Sequence, residues 1–163
     1  MRMSAATRED MVRHEPALIF PSLAGFYDLV GELSWPLIRL TAGGILLVHG
    51  IVKLMGPGVT AFAAGSLARR GIEPSLVFAY VIFFNETLGA LFLMLGLFTR
   101  IVAASIAIEF AVITFFAHFN NGFAFSSPGG GWEYPLMWGL IVFAIALKGG
   151  GPYSLDRAIG KEV

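Results

Sequence analysis

Residues 75–97 read SLVFAYVIFFNETLGALFLMLGL, 23 positions with a single charge, Glu86. Coiled as a helix at 1.5 Å per residue, the run is about 34 Å long, enough to cross the ~30 Å hydrocarbon core of a bilayer. Working outward, the pattern recurs at residues 35–54, 101–118 and 132–147. The last run is short, and Lys148 finishes it by snorkelling to the interface. The turn at 98–100 is tight, which makes the second and third runs antiparallel neighbours. Before the first run, Leu23, Phe26, Tyr27, Val30 and Leu33 recur at helical spacing while Asp28 and Glu32 share another face. That spacing predicts an amphipathic helix lying on the membrane surface or packed on the bundle. The expectation is an all-α chain: a four-transmembrane-helix antiparallel bundle with an N-terminal amphipathic interfacial helix. Residues 1–34 form the N-terminal segment, 35–148 the membrane domain and 149–163 the tail. The segment at 55–74 reads as a loop, with Gly56, Pro57 and Gly58 at its start.

Composition agrees. Of 163 residues, 56% are hydrophobic and only 13% charged, with mean hydropathy +0.76; an average soluble domain carries about 25% charge. Eleven basic residues balance eleven acidic ones, so the general basic footprint of a nucleic-acid binder is absent. There is no cysteine, which removes disulfides, thiolate metal sites and iron–sulfur clusters from this chain's own chemistry. The mixed-charge start and Pro21 do not fit a cleavable signal sequence. Orientation follows from the basic residues. Arg2, Arg8, Arg13, Arg39, Arg100, Lys148, Arg157 and Lys161 fall on one side, and Lys53, Arg69 and Arg70 on the other. By the positive-inside rule this predicts a multi-pass protein of a bacterial-type inner membrane with both termini cytoplasmic.

Ionisable groups at membrane depth need a reason. His49 and Lys53 lie one turn apart in the outer third of the first span, and Glu86 near the middle of the second. His118 ends the third, and Glu133 opens the fourth. These five come from four helices in one half of the bundle and are candidates for a shared polar pocket that binds a ligand or handles protons. Glu86 shares a helix side with Gly89, Ala90, Leu93 and Gly96, small enough to face other helices. Its partner must come from another helix, and Lys53 or His49 would serve. Glu109 is a secondary candidate. It stands nine residues from His118, about 900° of rotation, so the two oppose each other unless the helix ends or bends before His118. The plainer reading of each group is structural, a paired charge or histidine fixing helix register. Nothing in the spacing calls for a metal. The aromatics at 115–138 read as an interfacial belt, or as a flat wall for a quinone ring.

Several motifs together resemble the DoxX family of small four-helix membrane proteins. They are Arg39 with Gly43 and Gly44, LLVHGIVKLMG at 46–56, NETLGALFLMLGLFTR at 85–100, HFNNGF at 118–123, WEY at 132–134 and GGGPYSLDR at 149–157. The resemblance implies a relative of the membrane subunit of a thiosulfate:quinone oxidoreductase, or an accessory subunit of a redox system. It places His49, Lys53, Glu86, His118 and Glu133 in recurring motif positions, and leaves Glu109 outside them. Two functions follow as expectations. In one, the chain is a redox-linked accessory subunit that holds a quinone or other lipophile, with a protein partner supplying electrons. In the other, it is a non-enzymatic scaffold or assembly subunit of a larger complex.

Overall fold

The computed structural model describes residues 17–162. Residues 1–16, with Arg2, Arg8 and Arg13 of the orientation argument, lie outside them. The chain divides into two units, residues 1–32 and 33–163. In the first, a 3₁₀ turn at Pro21–Leu23 leads into α1, Ala24–Val30. Proline at the head of a helical turn loses no hydrogen bond there, because the first amides have no acceptor anyway. Phe26, Tyr27 and Leu29 of α1 are all exposed.

The second unit is helical throughout, and no strand occurs among the described residues. Its first long helix, α2, is Ser34–Met55. Gly56 follows, and α3, Gly58–Phe62, opens the connection. The second long helix is α4, Ser75–Phe84, a π-helical turn at Asn85–Gly89, and α5, Ala90–Leu95. The third is α6, Thr99–Val112, running into a second π-helical stretch at Ile113–His118. The fourth is α7, Glu133–Lys148, and α8, Leu155–Ala158, lies in the tail. Three helical runs, Pro21–Met55, Ser75–Leu95 and Thr99–Asn121, are long and apolar enough to cross a membrane. At 16 residues, α7 spans about 24 Å, short of a full crossing unless its ends snorkel.

The bundle core is small and tight. Ala42 and Leu46 of α2, Ala90 and Leu93 of α5, Val102, Ala103 and Ile106 of α6, and Val142 and Ile145 of α7 form one buried cluster. Alanines at these positions let the backbones approach. Helices α2 and α5 approach closely, and a Cβ on Gly43 would lie 2.7 Å from the Ala90 carbonyl oxygen. Outward faces carry Leu37, Val52, Ile108 and Leu140, each at least 59% exposed. Apolar surface this extensive has lipid, not water, as its stable neighbour.

The segment after α2, expected as a loop, is folded. After α3 it continues as a third π-helical stretch, Ala63–Leu67. Ala63 and Leu67 bury against Ala79 of α4 in a satellite core. The four-residue spacing of Val59, Ala63 and Leu67 is the amphipathic signal, masked by the glycines and proline ahead of it.

The tail closes one end of the bundle. Asp156 accepts from the amides of Phe98 (2.8 Å) and Thr99 (2.9 Å) and from the Thr99 hydroxyl (2.6 Å). A carboxylate thus satisfies the first amides of α6 and meets the positive end of its dipole. Arg39, fully buried, donates to the carbonyls of Met94, Pro152 and Tyr153. Arg100 covers the last carbonyls of α7, those of Ala146, Leu147 and Lys148. Trp35 Nε1 donates to the Gly149 carbonyl at 2.8 Å. Gly96 ends α5 with φ +67°, and a Cβ there would strike the Arg39 guanidinium and Ser154. Only glycine fits that corner.

Candidate functional site

The other half of the bundle holds a cavity of about 770 Å³, within the ~300–1,000 Å³ range of small-molecule pockets. Its wall is mostly apolar, with side chains such as Leu46, Phe78, Ile113 and Val142 drawn from all four long helices. His49, Lys53, Glu86, Glu109 and His118 line it as well. Five of the six residues singled out from the sequence therefore meet at one cavity. Glu133 does not. Its carboxylate accepts from the Phe125 amide at 3.3 Å and its own amide donates to the Phe123 carbonyl, which folds the preceding loop onto the start of α7.

Lys53 and Glu86 form a two-point ion pair, with Nζ 2.7 Å from Oε1 and 2.5 Å from Oε2. Glu86 is 4% exposed. The α2 and α4–α5 helices come close enough for this because Gly50 faces the Glu86 carbonyl. A Cβ on Gly50 would lie 2.5 Å from that oxygen. The ammonium also sits 4.9 Å from the Phe62 ring centroid, over its π face. His49, one turn before Lys53, stands on the cavity wall with its side chain exposed.

A second polar group lies beside the pair. Ser105 Oγ donates to Asn85 Oδ1 at 3.0 Å, and Asn85 Nδ2 donates to Glu109 Oε2 at 3.0 Å. Asn85, at 3% exposure, and Glu109, at 6%, are both buried. Glu109 Oε1 and Trp138 Nε1 are buried with no hydrogen-bond partner. Both residues line the cavity. Glu109 and Ser105, one turn apart on α6, are joined through Asn85, a residue absent from the candidates read from the sequence. An asparagine directly before an intramembrane glutamate was the available signal.

His118 reaches the cavity although an ideal helix would place it opposite Glu109. The reason is the π-helical stretch at Ile113–His118. Wider turns rotate the chain less per residue, so nine residues no longer carry the side chain to the far face. The ring is then fixed by its loop. His118 Nδ1 lies 2.9 Å from the Gly130 carbonyl, so Nδ1 carries a proton and donates. Asn121 Nδ2 donates to the Gly129 and Gly130 carbonyls, holding the same glycines.

All three π-helical stretches contribute to the wall, through Leu67, Glu86 and His118 among others. A π turn leaves a carbonyl without its usual amide four residues on. In the two long helices a threonine hydroxyl adds a donor to the carbonyl one turn back: Thr87 Oγ1 donates to the Phe83 carbonyl at 2.6 Å, and Thr114 Oγ1 to the Phe110 carbonyl at 2.7 Å, which also takes the Ile113 amide. Such π turns occur mostly as single-turn insertions in α-helices, frequently at functional sites.

Comparison with known proteins places the geometry in context. The sequence model of the DoxX family matches residues 34–119. An uncharacterised protein of Haemophilus influenzae is 29% identical over 126 residues, covering 77% of this chain and 90% of its own length. No solved structure matches the chain.

Proposed function

The chain belongs to the DoxX family of membrane proteins, and from that premise we propose that it holds a quinone-like lipophile in the cavity, as an accessory subunit of a redox system. The observation that carries this reading is the cavity itself: about 770 Å³ of mostly apolar wall, with His49, Lys53, Glu86, Glu109 and His118 among the ionisable side chains on it. An apolar wall suits a ring and its isoprenoid or alkyl tail. Ionisable groups at that depth suit a ligand whose reduction takes up protons. Lys53 and Glu86 set the polar end, His118 supplies a ring nitrogen, and His49 lies toward the helix end. Glu133 shapes the loop. The chain has no cysteine with which to build a cluster, so electrons come from a partner protein or arrive on the quinone. The α7 helix completes four crossings, in an inner membrane, with both termini cytoplasmic.

The test is purification of the full chain from its native membrane, followed by mass spectrometry of bound lipids and proteins. A quinone retained in fixed ratio to the protein, together with a redox partner, is the expected result. Phospholipid alone overturns the quinone. Because the natural chain contains no cysteine, single cysteines placed in the 119–131 loop and the tail report orientation by labelling from either side. Labelling of the tail from outside overturns the topology.

A further inference from the structure

We infer that Glu109, positioned by Asn85 and Ser105, donates a hydrogen bond to a carbonyl oxygen of the cavity's ligand, with Trp138 as the second donor. The inference deepens the lipophile reading and rests on it.

Lys53 is committed to both oxygens of Glu86, so that pair is closed. Glu109 has no such cation: among the described residues the ion pairs are Lys53–Glu86 and Arg100–Glu162. Its neighbours are an amide and, through it, a hydroxyl. That chain has a direction. The Ser105 hydroxyl donates to Asn85 Oδ1, which turns Asn85 Nδ2 toward Glu109, and Glu109 Oε2 accepts. With Oε2 occupied as an acceptor, a proton on this carboxyl resides on Oε1, the buried oxygen that no protein group meets. The remaining titratable groups on the wall are the Lys53–Glu86 pair, His49, His118, Arg70, Glu73 and Tyr134; His118 Nδ1 is tied to Gly130, Arg70 donates to Ser66 and Glu73 accepts from the Ser75 amide.

Trp138 points the same way independently. An indole N–H can only donate, and Trp138 Nε1 is buried without an acceptor in the wall of the same cavity. Two buried donors left over, from α6 and α7, call for an acceptor brought from outside. A buried polar group without a partner costs about 1–3 kcal/mol, so a ligand oxygen placed between them is favoured over a purely hydrocarbon ligand. The class is a lipophile bearing a ring or ester carbonyl, rather than an alkane or a bare acyl chain.

The experiment uses the full chain in phospholipid nanodiscs and two probes: a short-tailed benzoquinone, and an alkylbenzene of equal tail with no ring oxygens. Wild type should prefer the quinone by about tenfold, the size of one well-made hydrogen bond. Glu109→Gln should keep that preference, since its Oε accepts from Asn85 and its Nε donates where Oε1 stood. Glu109→Leu should lose most of that preference, keeping only the severalfold share that Trp138 supplies, with alkylbenzene affinity as in wild type. Undiminished preference in Glu109→Leu, or its loss in Glu109→Gln, overturns the assignment. Failure of wild type to bind either probe overturns the cavity reading instead. Should Glu109→Leu not fold, the infrared carbonyl stretch of isotope-labelled quinone decides in Trp138→Phe, where the indole donor is gone: lowered on binding if Glu109 donates, and unshifted if it does not.

Discussion

The two ends of the bundle are both polar, and they are built from different kinds of partner. At the tail end, Arg39, Arg100, Asp156 and Trp35 bond mainly to backbone carbonyls and amides at helix ends. At the cavity, side chains bond to side chains: Lys53 to Glu86, Ser105 to Asn85, Asn85 to Glu109. Backbone groups at a helix terminus have to be satisfied somewhere and cannot change position without unravelling a turn. Side-chain partners can exchange. The same inventory of charges thus closes the fold at one end and leaves usable chemistry at the other. Along α2 the two regimes are Arg39 and Lys53, about 21 Å apart on one helix.

The largest expected effect is at the tail end. Asp156→Ala strips the acceptor from two amides and a hydroxyl at the start of α6, leaving buried donors unpaired. About 3–5 kcal/mol of stability should go, read as a lowered unfolding midpoint in detergent. The surviving folded fraction should bind ligand as wild type does. A variant as stable as the parent would break the contrast. Next is Lys53→Met, which strands the Glu86 carboxylate and should cost about 3 kcal/mol. Adding Glu86→Leu removes the stranded charge, and the double variant should regain most of that loss. Ligand affinity should fall in both. Double-variant stability no better than the single would place this pair with the architectural groups after all.

Much of this was legible in the chain. Uninterrupted apolar runs located the long helices to within a few residues, and the intramembrane charges His49, Lys53, Glu86 and His118 marked the cavity because lipid tolerates no idle charge. What escaped the sequence had a physical reason in each case. Fixed 100° geometry set Glu109 on the face opposite His118, because a π turn costs only one extra residue and leaves no change in hydropathy to read. Asn85 was passed over as neutral. Glu133 was grouped with the pocket by depth alone, and depth does not say whether a side chain turns inward or back to its own loop. The helical linker at 58–70 was hidden by Gly56, Pro57 and Gly58.

Two glycines on α2 test how finely the cavity end is fitted. A Cβ on Gly50 would press on the Glu86 carbonyl and on Thr87 Cγ2 at 2.6 Å, whereas one on Gly44 would meet nothing within 4 Å. Gly50→Ala should therefore cost about 1–3 kcal/mol by forcing two backbones apart, and should loosen the Lys53–Glu86 pair. Gly44→Ala should be neutral or stabilising by about 0.5–1 kcal/mol, from the helix propensity of alanine. Equal effects at the two positions would mean that α2 does not approach its neighbour as closely as described.

The smallest effect separates the two ends most directly, because the same deletion is made at each. Trp35 Nε1 has an acceptor, the Gly149 carbonyl; Trp138 Nε1 has none. Replacing either indole with phenylalanine keeps an aromatic ring and removes the N–H. Trp35→Phe should lose about 1 kcal/mol, the net worth of a hydrogen bond whose buried acceptor is then left over. Trp138→Phe should leave the unfolding midpoint unchanged or raise it slightly, since it deletes a buried donor that was bonded to no protein group. Its effect should appear only as a severalfold weaker hold on a carbonyl-bearing ligand. An indole whose removal costs stability but not binding belongs to the architecture, and one that shows the reverse belongs to the site.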